Sequence, residues 1–93
     1  MSGTDQRLWL AEIQVLLKPS VNDPQGLSIR GALRSLSFDV EEVRAAKLID
    51  VRFTAPDRPA AEEAVERMCS QLLANPVIET YRFTLSEVPA PVP

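Results

Sequence analysis

The chain has 93 residues, which is room for one domain built around one core. Hydrophobic residues make up 45% and charged residues 25%, an ordinary globular balance that excludes a disordered or fibrous chain. The net charge of −3 argues against nucleic acid or an anionic membrane as a partner, and the single cysteine excludes an internal disulfide. No apolar run reaches membrane-spanning length, and the expectation is a cytoplasmic protein.

In chain order, Met1 to Arg7 is polar and is expected to be a flexible leader. A first strand is predicted from Leu8 to Lys18. Trp9, Ala11, Ile13, Val15 and Leu17 share one parity and are all apolar, while Leu8, Leu10, Glu12, Gln14 and Leu16 form a mixed second face. One dry face and one mixed face suit a central strand. Lys18-Pro19-Ser20 ends it, because proline offers no ladder donor. Asp23 is placed to cap a helix that opens with Pro24 and runs to Leu36, with Ile29, Ala32, Leu33 and Leu36 as its apolar stripe. Gly26 and Gly31 lie inside that helix, each at a cost of about 1 kcal/mol relative to alanine, and close packing of the helix on the sheet is the expected reason.

A connection covers Ser37 to Glu41. A short second strand is predicted at Val43 to Ala45, a turn at Ala46-Lys47-Leu48, and a third strand over Ile49 to Thr54. The second helix is expected from Pro59 to Ala74, with Ala61, Ala64, Val65, Met68 and Leu72 facing the core. Asn75-Pro76 ends it, with Asn75 as a left-handed cap. A last strand from Val77 to Leu85 buries Tyr81, Phe83 and Leu85. The domain is thus expected over residues 8–86, between the leader and a proline-rich tail at 87–93. The order β-α-β-β-α-β predicts an α+β, ferredoxin-like two-layer sandwich: a four-stranded antiparallel sheet, first and third strands central, with both helices on one face.

Parity then assigns Leu8, Leu10, Glu12, Gln14, Leu16, Arg44, Leu48, Asp50, Arg52, Thr80, Arg82 and Thr84 to the uncovered face. Leucines framed by charges of both signs mark an association surface. The candidate interface residues are Leu10, Leu16, Asp23, Gln25, Arg44, Leu48, Arg52 and Arg82. Asp23 and Gln25 belong to the helix start, which either serves the fold alone or presents Gln25 and free N–H groups to a neighbour. Arg44, Arg52 and Arg82 are explained without a ligand by ion pairs with Glu12 and Asp50. Arg30 and Arg34 read as a solvated helix face before they read as an anion clamp. Glu79 beside Asn75 either positions the last strand or touches a partner.

The chain has no histidine, so it offers no internal Cys–His or Ser–His pair and no histidine-based metal site. Cys69, beside an apolar helix stripe, reads as a structural thiol and not a nucleophile. Catalytic, cofactor-binding and metal residues are therefore all expected to be none.

Leu17-Lys18-Pro19-Ser20-Val21-Asn22-Asp23-Pro24-Gln25-Gly26, Gly31-Ala32-Leu33, Val43-Arg44, Met68-Cys69, Leu72-Leu73-Ala74-Asn75-Pro76-Val77-Ile78-Glu79 and Tyr81 together resemble the PurS family, over about Trp9 to Val88. Family members often carry glycine before the lysine of Val-Arg-x-Gly-Lys, where this chain has Ala46. PurS is the small subunit of phosphoribosylformylglycinamidine synthase. The resemblance implies a non-catalytic subunit in de novo purine biosynthesis that bridges the ATP-dependent synthetase (PurL) and the glutaminase (PurQ) and supports ammonia transfer between them. It also implies a homodimer or tetramer and no cofactor of its own. An alternative of the same topology is a small-molecule-binding regulatory module resembling ACT domains. An RNA-recognition module is disfavoured, because Trp9 and Phe53 have the helix-facing parity and the chain is acidic.

Overall fold

The computed structural model describes residues 6–89. Strand β1 is Arg7–Leu17, helix α1 Pro24–Ser35, strand β2 Ala46–Ala55, helix α2 Arg58–Met68 and strand β3 Glu79–Val88. A single π-helical turn, Cys69–Leu73, prolongs α2. The α+β class and the helix positions follow the sequence. The expected leader and tail lie for the most part outside the described residues; Arg7 already belongs to β1, and Glu87 and Val88 still belong to β3.

Among the described residues the sheet has three antiparallel strands in the order β2-β1-β3, not four. The predicted strand at Val43 to Ala45 is coil. Its Ala45 N–H goes to a side-chain oxygen of Asp23 at 2.9 Å, and Arg44 Nη2 donates to the Leu17 and Lys18 carbonyls at 3.0 and 3.1 Å. Those bonds tie the segment to the β1–α1 loop, so it forms no ladder. The predicted turn at Ala46-Lys47-Leu48 is instead the start of β2, with Ala46 opposite Leu16 and Lys47 opposite Val15. With one strand fewer, β1 alone is central and the expected third strand stands at an edge.

The dry face of β1 builds the core. Ala11, Ile13 and Val15 pack with Val65, Cys69 and Ala74, flanked by Val51, Phe53, Leu73, Tyr81, Phe83 and Leu85. Trp9, Ala55 and Ala61 form a second cluster, where the Trp9 indole N–H donates to the Ala55 carbonyl at 3.1 Å. The Arg58 guanidinium lies 5.5 Å from the Trp9 ring centroid. Trp9 and Phe53 thus face the helix layer, as parity requires.

Among the described residues only α2, with its π-helical turn, covers the sheet. Asp57 caps it, accepting from Ala60 N at 2.9 Å. The expected cap at Asn75 takes another form: Ser37 has the only positive φ of a non-glycine residue among those described, and Asn75 instead makes a side-chain turn, Oδ1 accepting from Val77 N at 3.0 Å. Helix α1 makes no extensive contact with any strand or with α2, so the expectation of two helices on one face is corrected. It is capped by Asp23, which accepts from Gly26 N at 3.0 Å, and it ends with Ser37 in the left-handed region at φ 74°. There Phe38 N reaches the Leu33 carbonyl and Ser37 N the Arg34 carbonyl, both at 3.0 Å, a Schellman ending. Arg34 Nε holds the Val40 carbonyl at 2.9 Å, so α1 packs on its own return segment. Gly26 and Gly31 differ: a side chain at Gly26 would strike the Val43 carbonyl, whereas one at Gly31 would meet nothing within 4 Å.

Candidate functional site

The uncovered face of the sheet follows from strand pairing. Leu10 stands between Arg52 and Ser86, Glu12 between Asp50 and Thr84, Gln14 between Leu48 and Arg82, and Leu16 between Ala46 and Thr80. Alternation therefore puts Leu10, Leu16, Leu48, Arg52 and Arg82 on one surface. Leu48 is 62% exposed, while Leu10 and Leu16 are half-buried. A shallow depression of about 370 Å³ runs across the middle, lined by Glu12, Gln14, Leu48, Arg82, Phe83 and Thr84.

The remaining three candidates gather elsewhere, at the end of β1. Asp23 is buried there and accepts from the N–H groups of Gly26 and Ala45. Those two bonds, Gly26 first, hold its carboxyl below its ordinary value of 3.8, and Arg44 adds to the effect. Gln25 is exposed in the first turn of α1. Arg44, placed on the open face by parity, is a loop residue that clasps the β1 terminus. Asp23 and Arg44 thus hold the chain's own backbone together.

The arginines find other partners than the expected acids. Arg82 Nε donates to Gln14 Oε1 at 2.6 Å, and Glu12 accepts from the Thr84 hydroxyl at 3.5 Å. Ion pairs among the described residues join Arg7 to Glu87, Lys47 to Glu79 and Arg58 to Glu62. Glu79 also accepts from Asn75 N at 2.7 Å, so it positions β3 as the structural reading required. Cys69 is fully buried, and burial, with Glu66 adding to it, pushes its thiol up. No group of three or more metal-ligating side chains gathers among the described residues. No helix among the described residues is long and apolar enough to cross a membrane.

What this surface offers is shape: apolar side chains with aligned hydrogen-bonding groups, and no nucleophile–base pair. Sequence reasoning missed the side-chain clasp of Asp23 on Ala45.

Known proteins give the surface its context. A PurS subunit of phosphoribosylformylglycinamidine synthase from Synechocystis sp. is 44% identical over 75 residues, covering 80% of this chain and 75% of that protein. The structure of Thermus thermophilus PurS superposes with a TM-score of 0.81 at 38% identity, over 88% of this chain and 99% of that one. A chain in the structure of PurLQS from Thermotoga maritima superposes with a TM-score of 0.76 at 33% identity, over 87% and 98%. The sequence model of the family described as PurS: Phosphoribosylformylglycinamidine (FGAM) synthase matches residues 10–87, and the chain belongs to that family.

Proposed function

We infer that this chain is the non-catalytic small subunit of a phosphoribosylformylglycinamidine synthase. In that role it bridges the ATP-dependent synthetase, PurL, and the glutaminase, PurQ, and supports ammonia transfer between them. The observation that carries the reading is the open sheet face: Leu10, Leu16 and Leu48, framed by Arg52 and Arg82, stand uncovered in a chain similar to one in PurLQS. An apolar surface with ordered polar groups suits a permanent neighbour better than water. The reading places the protein in the cytoplasm, in contact with both larger subunits and with copies of itself.

The function is geometric. Fixing two active sites relative to each other lets ammonia pass before protonation and loss. Reconstitution without this chain should abolish glutamine-dependent synthesis and spare more of the synthesis from added ammonia. Unchanged glutamine-dependent turnover would refute the bridging role.

A ligand-binding module gains no support from the loop end. The cleft of about 370 Å³ between residues 19–23 and 42–44 is lined by Asp23, Arg30 and Arg44 among others. Each already serves backbone groups of the chain itself.

A further inference from the structure

A bridge needs two contacts that face different ways. The open sheet face supplies one. The connection from α2 to β3 carries the features of a second. There Val77 is 76% exposed and Ile78 39%, although both are apolar. The backbone beneath them is tied down. Asn75 Oδ1 accepts from Val77 N at 3.0 Å, and the Asn75 carbonyl accepts from Ile78 N at 3.2 Å and from Glu79 N at 2.7 Å. The Ile78 carbonyl accepts from Lys18 N at 2.9 Å, which anchors the loop to the end of β1. Glu79 accepts from Asn75 N at 2.7 Å and pairs with Lys47 at 3.8 Å. Pro76, between them, has its φ fixed by its ring. The loop thus spends its polar groups on itself and on β1, and leaves aliphatic side chains in water. An aliphatic side chain on an ordered backbone loses little entropy on binding, which suits an interface anchor.

Beside the loop lies a cleft of about 290 Å³, with Lys18, Cys69, Ala74, Pro76, Glu79 and Tyr81 among its lining residues. It opens on the helix side of β3, because Tyr81 packs on the core cluster and Cys69 belongs to the π-helical turn. The open face lies on the other side of the sheet. Glu79 in the cleft is held by Asn75 and Lys47, and the Tyr81 hydroxyl by Glu66. Lys18 takes part in no ion pair among the described residues.

We propose that Val77 and this cleft are the second contact of the bridge. One of the two larger subunits, and not both, takes it with an apolar pocket that receives Val77 and an acidic side chain that enters the cleft to meet Lys18. Lys18 stands at the rim of that contact, where a charge sets association rate and salt dependence more than affinity. The inference rests on the bridging role and adds to it the place and the chemistry of the second contact.

The test immobilises the full chain, offers it PurL and PurQ together, and reads the retained amount of each against concentration. Wild type should retain both. Val77→Asp should weaken one of them by at least about tenfold and leave the other nearly unchanged. Its melting temperature should stay that of wild type, because Val77 belongs to neither core cluster. Lys18→Glu should weaken the same subunit and flatten the salt dependence of its binding, while Lys18→Arg should behave as wild type. Three results would overturn the inference: both subunits retained by Val77→Asp as by wild type, both weakened alike, or Lys18→Glu acting on the other subunit. A light-scattering mass of the chain alone that falls with Val77→Asp would place the loop between copies of the chain and refute it as well. A wild-type chain that retains neither subunit would refute the bridging role itself, and the inference with it.

Discussion

Tyr81 on β3 donates its phenol hydroxyl to the carboxylate of Glu66 on α2. The bond ties an outer strand to the flank of the one helix that covers the sheet. The accepting carboxylate, helped by partial burial, pushes the phenol up from 10.0 to about 12. Tyr81 is the only tyrosine, so phenolate absorbance reads it directly. The folded chain should titrate near pH 12, and Glu66→Gln should bring the midpoint back toward 10. The sign follows from proton binding: above pH 10 the unfolded chain loses the proton first. The contribution is therefore complete below pH 10 and disappears as pH rises toward about 12. A midpoint that ignores Glu66→Gln would show that the bond does not form.

Asp23 gives the opposite dependence. Its carboxyl is lowered below 3.8 by the N–H groups of Gly26 and Ala45. Its contribution is fully present above that ordinary value and is lost as pH falls through the lower folded value. Asp23→Ala removes the acceptor of both bonds, and the melting temperature should drop by roughly 4–8 °C, the usual effect of losing a helix cap in a domain this small. Asp23→Asn should flatten the acid limb of the stability curve. A wild-type acid limb in the Asn variant would mean another carboxylate sets it.

Much of this was legible in the chain. Strict alternation from Trp9 to Leu17 specified β1, its dry face and the inward aromatic Trp9, because a period of two leaves no other face for them. Asp23-Pro24 marked the start of α1 through cap chemistry. The fourth strand was not legible. Val43-Arg44-Ala45 alternates, but three residues fall short of a usual strand, and Ala46-Lys47 lacks the Asn-Gly or Asp-Gly signal of a tight hairpin. What decided the matter was long-range: Asp23 and Arg44 spent their bonds on each other's loops. The stripe on α1 is apolar, yet periodicity alone does not show that Ile29, Ala32 and Leu36 stand exposed in the folded chain. The open face was recovered except for Arg44, since parity counts only residues that are in strands.

The two glycines of α1 should respond in opposite ways to alanine. At Gly31 a methyl group would meet nothing within 4 Å, so Gly31→Ala should stabilise the helix by about 0.5–1 kcal/mol through lost backbone freedom in the unfolded chain. At Gly26 the methyl would lie 2.6 Å from Asp23 Oδ2 and collide with the Val43 carbonyl. Gly26→Ala should therefore loosen the cap and lower stability. Denaturant unfolding with amide exchange across residues 24–36 separates the two; equal effects would show that residues 43–45 do not lie against the helix.

Leu48 is the sharpest probe of the open face. It stands opposite Gln14 at 62% exposure, so a polar side chain there costs the isolated chain little. In a buried interface the same change sets an unpaired carboxylate against apolar surface, which is expensive. Leu48→Asp should leave the melting temperature of the isolated chain nearly unchanged and weaken its association with PurL and PurQ by at least about tenfold. Leu10→Asp and Leu16→Asp, at half-buried positions of the same face, should weaken it too, with some loss of stability. Glu62→Gln, on the exposed side of α2, is the control and should change neither. Calorimetry of each variant against the two larger subunits checks the set. Wild-type affinity in all three leucine variants would move the assembly surface off this face, to the loop end at Gln25 or the free edges of β2 and β3.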